Sequence, residues 1–140
     1  MKLSPEQALS RLAAHDHGVL STLHPDRGID SVPVVYAVSA AGQLSIPIDT
    51  IKPKQSTNLQ RIYNLDRDPR ATLLVQQWNA SDWSQLWWVR MELRVVTDPS
   101  AAAQDEMAQL LAQKYPQYSE QPFARVLVFD VMATTGWSAS

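Results

Sequence analysis

The sequence predicts a mainly β domain, an antiparallel six-stranded barrel with helical additions. Three observations lead there. Six runs of strand length recur along the chain, at Gly18–Leu23, Ile29–Val38, Gln43–Ile48, Arg70–Trp78, Gln85–Thr97 and Arg125–Val131. Most connections between them are too short for a helical crossover, which excludes a parallel βαβ sheet. The run Ile29–Val38 is apolar on both faces, through Val32, Val34, Val35, Tyr36, Ala37 and Val38. Such a strand needs cover on both sides, as in a barrel.

At 140 residues the chain has the length of one domain with a proper core, and no linker, repeat or low-complexity tract divides residues 1–140. Apolar residues make up 45% and charged residues 19%, a globular mixture. A net charge of −2 argues against a general nucleic-acid binder, though it leaves room for a local basic pocket. There is no cysteine, so disulfides and thiolate chemistry are excluded. The N-terminus carries no apolar targeting segment, and no apolar run is long enough to span a bilayer. The expected location is the cytoplasm, away from membranes.

Taken in order, Ser4-Pro5-Glu6-Gln7 reads as a capped helix start, with a modest apolar face through Ala8 and Leu12 up to about Ala14. Gly18 ends that helix or permits a tight passage into the first strand. His24-Pro25-Asp26-Arg27-Gly28 is a turn leading into the second strand, where Pro33 limits pairing on one side. Ala40-Ala41-Gly42 turns the chain into the third strand, and the three strands read as a meander. Leu59, Ile62 and Leu65 recur at helical spacing until Asp68-Pro69, with Ser56 or Thr57 as the expected cap. After the fifth strand, Asp98-Pro99 is the expected cap of a helix with Met107, Leu110 and Leu111 as its buried stripe. Tyr115–Tyr118 breaks the chain before the sixth strand, and Thr134-Thr135-Gly136-Trp137 ends it.

The chemistry concentrates between the third strand and the helix after it. Ile46-Pro47-Ile48-Asp49-Thr50-Ile51 runs out of a strand, and Lys52, Lys54, Ser56, Thr57 and Arg61 follow. Two lysines, two hydroxyls and an arginine gather where the N–H groups of a helix start lack partners, which is the chemistry of an anion site, most simply a phosphate. Thr57 and Arg61 are four apart and would share a helix face. In Gln85–Thr97, Trp88 and Arg90 fall on one face of the strand and Trp87 and Val89 on the other. His15 and His17 invite a metal reading, but no third ligand has convincing spacing, so no metal is expected. No catalytic triad or carboxylate pair stands out, and no catalytic residue is assigned.

These segments resemble a known family. The matching residues are Gly18–Leu23 with the Pro25–Gly28 turn, Ser31-Val32-Pro33-Val34, Asp49 with Lys52-Pro53-Lys54, Arg61-Ile62-Tyr63-Asn64-Leu65 leading to Asp68-Pro69-Arg70, and Asp82-Trp83-Ser84-Gln85-Leu86-Trp87-Trp88-Val89-Arg90. Lys114-Tyr115-Pro116-Gln117-Tyr118 and Thr135-Gly136-Trp137-Ser138 extend the match over nearly the whole chain. The sequence resembles the pyridoxamine 5′-phosphate oxidase-like superfamily of split β-barrel flavin and deazaflavin oxidoreductases, and within it a mycobacterial-type subfamily that uses the deazaflavin coenzyme F-420. The resemblance implies a homodimer with two cofactor sites at the subunit interface, binding FMN or coenzyme F-420. It implies that Lys52, Lys54 and Arg61, with Ser56 or Thr57, hold the cofactor phosphate. The ring would lie against strand residues including Val32, Pro33, Pro47, Ile48 and Asp49, with Trp88 and Arg90 as further contacts. The loop ahead of Arg61 is longer than in the wider superfamily. The implied activity is hydride transfer between the cofactor and a small unsaturated or conjugated substrate; the alternative is a non-catalytic flavin- or haem-binding carrier or sensor on the same scaffold. Pyridoxamine phosphate oxidation itself is a third, lesser reading, because that enzyme's substrate-phosphate residues have no evident place in so short a chain.

Overall fold

The computed structural model describes residues 1–51 and 59–140. Its centre is an antiparallel sheet of seven strands: β1 (Gly18–His24), β2 (Gly28–Val34), β3 (Ala37–Val38), β4 (Leu44–Asp49), β5 (Arg70–Gln77), β6 (Trp87–Val95) and β7 (Phe123–Ser138). Their order is β2-β1-β5-β6-β7-β4-β3. Three helices accompany them, α1 (Pro5–Ala14), α2 (Gln60–Arg67) and α3 (Ala101–Lys114).

The strand number is seven rather than six because the run expected at Ile29–Val38 divides. β2 pairs with β1, and β3 pairs with β4 at the far edge of the sheet. Only Val35 and Tyr36 lie between them, so the sheet curls until its two edges are joined by chain rather than by a ladder. The physical reason sits at Tyr36. Its backbone N–H donates to the Tyr115 hydroxyl at 3.1 Å, and its carbonyl accepts from Lys114 Nζ at 3.0 Å and from the Tyr115 hydroxyl at 2.8 Å. With its peptide groups satisfied by side chains, Tyr36 has none left for a strand ladder. Its own hydroxyl donates to the Leu12 carbonyl at 2.6 Å and ties α1 to the split. The expected meander survives in altered form, as two hairpins on either side of this break.

β7 is much longer than the expected Arg125–Val131 and includes the Thr134–Trp137 tail. Its first part pairs with β4 and its later part with β6. The register shifts where Val131 faces Leu93 and Ala133 faces Glu92, which leaves Met132 bulged outward.

Alternation decides what lies inside. Leu20, Leu73, Val75, Val89, Met91, Leu93, Leu127 and Phe129 fill the barrel together with Leu44, Ile46 and Ile48. A second core lies outside the sheet, where Met107, Ala108 and Leu111 of α3 cover Ala37, Val126 and Val128. This outer layer explains why every residue of β4 is buried.

The Ser4 capping box forms as expected. Two other expected caps do not. α3 is capped by Ser100, whose Oγ accepts from the Ala103 N–H at 3.1 Å, while Asp98 takes a left-handed turn conformation at φ 50°. The N-cap position of α2 is Leu59, with no side-chain cap, and the expected caps Ser56 and Thr57 lie outside the described residues.

α1 ends at His15, so Gly18 serves a different purpose. A Cβ there would sit 2.8 Å from the Leu74 carbonyl oxygen and 2.9 Å from Val75 Cγ2. Gly18→Ala is expected to cost about 1–3 kcal/mol, the usual range for overpacking, measured by urea unfolding. An unchanged midpoint would show that β1 can move away from β5.

Lys114 gives a pH dependence. Its ammonium lies 3.9 Å from the centre of the Tyr36 ring, half-buried, and burial lowers its pKa to about 8 from 10.5. Between those values the unfolded chain binds the proton and the folded one sheds it, so this group adds stability as pH rises through that window. Tyr36 and Tyr115, both held above their ordinary values by burial, oppose it above pH about 10. The comparison with Lys114→Met cancels the tyrosines: wild type should gain stability relative to the variant from pH 8 to 9.5. A difference that stays flat would mean that Lys114 keeps its ordinary pKa.

Candidate functional site

β4, the start of α2 and the turn after α3 meet around a cavity of about 210 Å³, lined by Pro33, Val34, Val35, Pro47, Asp49, Leu59, Arg61 and Tyr118. Period-two alternation supplies β4's share. Ile46 and Ile48 point into the barrel, so Pro47 and Asp49 point out of it. Asp49 is 2% exposed; it accepts from the Tyr118 hydroxyl at 2.6 Å and from the Ile51 N–H at 3.2 Å. Burial, with that carboxylate alongside, holds the Tyr118 phenol well above its ordinary range.

Arg61 is the unusual member. Its Nε is sheltered from solvent and has no hydrogen-bond partner among the described residues. Burial pulls the guanidinium below its ordinary pKa, and the Asp49 carboxylate resists that shift. A sheltered N–H without an acceptor costs roughly 1–3 kcal/mol, more when it belongs to a charged group. A bound oxyanion would supply the acceptor.

Asn64 holds α2 in place. It is fully buried, and its Nδ2 donates to Thr22 Oγ1 at 3.0 Å and Asp30 Oδ2 at 2.9 Å, while its Oδ1 accepts from Gln60 Nε2 at 3.0 Å. Arg27 forks onto the same Asp30 at 2.9 and 3.2 Å. The Asn64 amide and then the arginine hold the Asp30 carboxyl below the usual carboxylate range.

Four expected site residues, Pro33, Pro47, Asp49 and Arg61, come together here. Val32 and Ile48 face the barrel interior instead, on the opposite side of their strands. Trp88 and Arg90 share the outer face of β6, as the alternation required, with the guanidinium 5.4 Å from the Trp88 ring centre. They do not line the cavity. Lys52, Lys54, Ser56 and Thr57 lie outside the described residues. Tyr118 was missed as a site residue; its motif stood out, but nothing local to it reveals that it reaches Asp49.

A larger groove of about 410 Å³ runs over the outer sheet face beside Ile29, Arg70, Glu92, Arg94 and Met132. Its Arg70 is already engaged, donating to Asp68 at 2.7 and 3.0 Å, so it offers less to an anion than Arg61 does.

No known family profile matches the sequence, and no curated protein is detectably similar to it. Solved structures are similar in fold. The conserved hypothetical protein Rv2991 of Mycobacterium tuberculosis superposes with a TM-score of 0.73 at 19% identity, over 98% of this chain and 86% of that one. An FMN-binding protein of Syntrophomonas wolfei gives 0.69 at 15% identity, over 95% and 85%. A candidate pyridoxamine 5′-phosphate oxidase of Corynebacterium glutamicum gives 0.62 at 14% identity, over 99% and 98%. With its open, curled antiparallel sheet and the break at Val35–Tyr36, this chain has the pyridoxamine 5′-phosphate oxidase-like split-barrel fold.

Proposed function

We propose that this protein binds FMN or coenzyme F-420 and works as an oxidoreductase on a small unsaturated or conjugated substrate. The observation that carries the reading is the sheltered Nε of Arg61, without a partner among the described residues, in a cavity bordered by both flanks of the Lys52–Asn58 segment, Asp49 and Leu59. Arg61 grips phosphate oxygens there, and Lys52, Lys54, Ser56 and Thr57 add charge and hydrogen bonds. At about 210 Å³ the cavity is smaller than the roughly 300–1,000 Å³ of a whole-ligand pocket. It suits the phosphate end, with the ring lying outside it near Pro33 and Pro47. The shared fold with a flavin-binding protein supports this reading.

The uncovered sheet face supports a homodimer. α3 covers β3 and β4, whereas the outer side of β2, β1, β5 and β6 exposes Val19 and Ile29, and β7 adds Met132 and Trp137. A second copy covers these residues and brings Trp88 and Arg90 toward the ring. Among the described residues no helix is long and apolar enough to cross a membrane. When bound, the cofactor supplies the hydride; the chain's residues bind it, orient it and exclude water.

The test is an absorbance and fluorescence titration with each cofactor, on wild type and on the double variant Lys54→Glu/Arg61→Glu. Wild type should bind one cofactor per chain, and the variant should bind none with its fold intact. A wild-type spectrum unresponsive to both cofactors removes the reading. Stopped-flow reoxidation with candidate acceptors then separates an enzyme from a carrier.

A further inference from the structure

The residues joining α1 to β1 form a second polar cluster, apart from the Arg61 cavity. His15, Asp16 and His17 each bring one metal-binding atom within 4.8 Å of the others. The two imidazole centres lie 5.2 Å apart with their planes inclined at 34°. Two imidazoles sharing one ion through bonds of about 2.0–2.1 Å have centres roughly 5 Å apart, so the pair already stands at chelating separation.

Two further observations point to a ligand. The His15 Nε2 is sheltered from solvent and has no hydrogen-bond partner among the described residues, which is costly unless an ion or water satisfies it. His17 Nδ1 lies 2.6 Å from Asp16 Oδ1. A carboxylate accepting from one ring nitrogen fixes the tautomer and leaves the other lone pair for a metal. The segment is also held in place. The Tyr115 hydroxyl, whose single proton is shared with the Tyr36 carbonyl, lies 2.9 Å from the Asp16 carbonyl, and the His15 ring meets Trp87 edge-on at 5.4 Å, so little ordering remains to oppose binding. Arg11, over Trp87 at 5.5 Å, and Lys114, over Tyr36, are the nearby cations, and they limit affinity.

We propose that His15 and His17, supported by Asp16, form a binding site for a borderline divalent transition-metal ion such as Zn²⁺, Ni²⁺ or Cu²⁺. Imidazole nitrogen donors suit these ions better than Mg²⁺ or Ca²⁺. Calorimetric titration of the full chain with Zn²⁺ should give one ion per chain. Ni²⁺ should selectively broaden the ring resonances of His15 and His17 and the indole N–H of Trp87. Because the His17 side chain is exposed, His17→Gln leaves the fold intact, and it should abolish binding. Asp16→Asn should weaken it about 10–100-fold, as loss of such a supporting carboxylate usually does. Mg²⁺ should give neither heat nor broadening. No wild-type binding up to about 1 mM Zn²⁺, where association is worth only about 4 kcal/mol, overturns the site, as does binding unchanged in His17→Gln.

Discussion

Arg61→Met is expected to lose cofactor affinity by about 100-fold or more. Charge-assisted hydrogen bonds are worth roughly 1.5–3 kcal/mol each, and a two-pronged arginine makes two, against 1.4 kcal/mol per tenfold in affinity. In the ligand-free protein two effects oppose each other: methionine removes a sheltered Nε that has no acceptor among the described residues, and it also removes the cation beside the buried Asp49 carboxylate. No gain in stability is therefore expected in urea unfolding. Arg61→Lys keeps the charge but not the planar fork and should fall between the two in affinity. If Arg61→Met binds FMN or coenzyme F-420 as wild type does, the phosphate lies elsewhere.

Asn64→Leu should have the largest effect on stability. The change leaves Thr22 Oγ1 and one Asp30 oxygen without their buried donor and strands the Gln60 amide. Breaking such a network costs about 2–3 kcal/mol, which lowers Tm by roughly 6–12 °C in a chain of this size. Because Asn64 fastens the helix that carries Arg61, affinity should fall too, even well below the melting temperature. A variant that keeps wild-type stability would mean that Arg27 alone satisfies Asp30.

Much of the barrel could be read directly. Alternating apolar residues announced the strands, and the opposed faces of Trp87–Val89 and Trp88–Arg90 followed from the pleat alone. The capping box at Ser4 is a local hydrogen-bond pattern, so a local reading found it. The same kind of reading failed where two caps competed. Asp98-Pro99 and Ser100 are both plausible starts for α3, and the left-handed turn at Asp98 decides for Ser100.

The site was legible only in part. Arg61 stood out through the charged residues near it and through its place in a resembling motif. Pro47 and Asp49 were chosen along with Ile48, although alternation separates them: Ile48 is fully buried among the barrel side chains, and its neighbours face the cavity. Tyr118 lies 69 residues from the Asp49 that accepts its hydrogen bond, so no window of sequence joins them.

The amino-acid sequence by itself determined that the chain makes short antiparallel strands, which residues alternate inward, and where a concentration of basic residues meets a helix. Those properties depend on period, charge and local hydrogen bonding, all written within a few neighbouring residues. Tertiary structure alone decided that the second strand would break at Val35–Tyr36. The groups that take up Tyr36's peptide, Lys114 and Tyr115, lie 78 and 79 residues away and reach it only once α3 has folded against the sheet. It decided equally that Arg61 would keep a sheltered nitrogen without a partner among the described residues, because burial depends on what every other element packs against it.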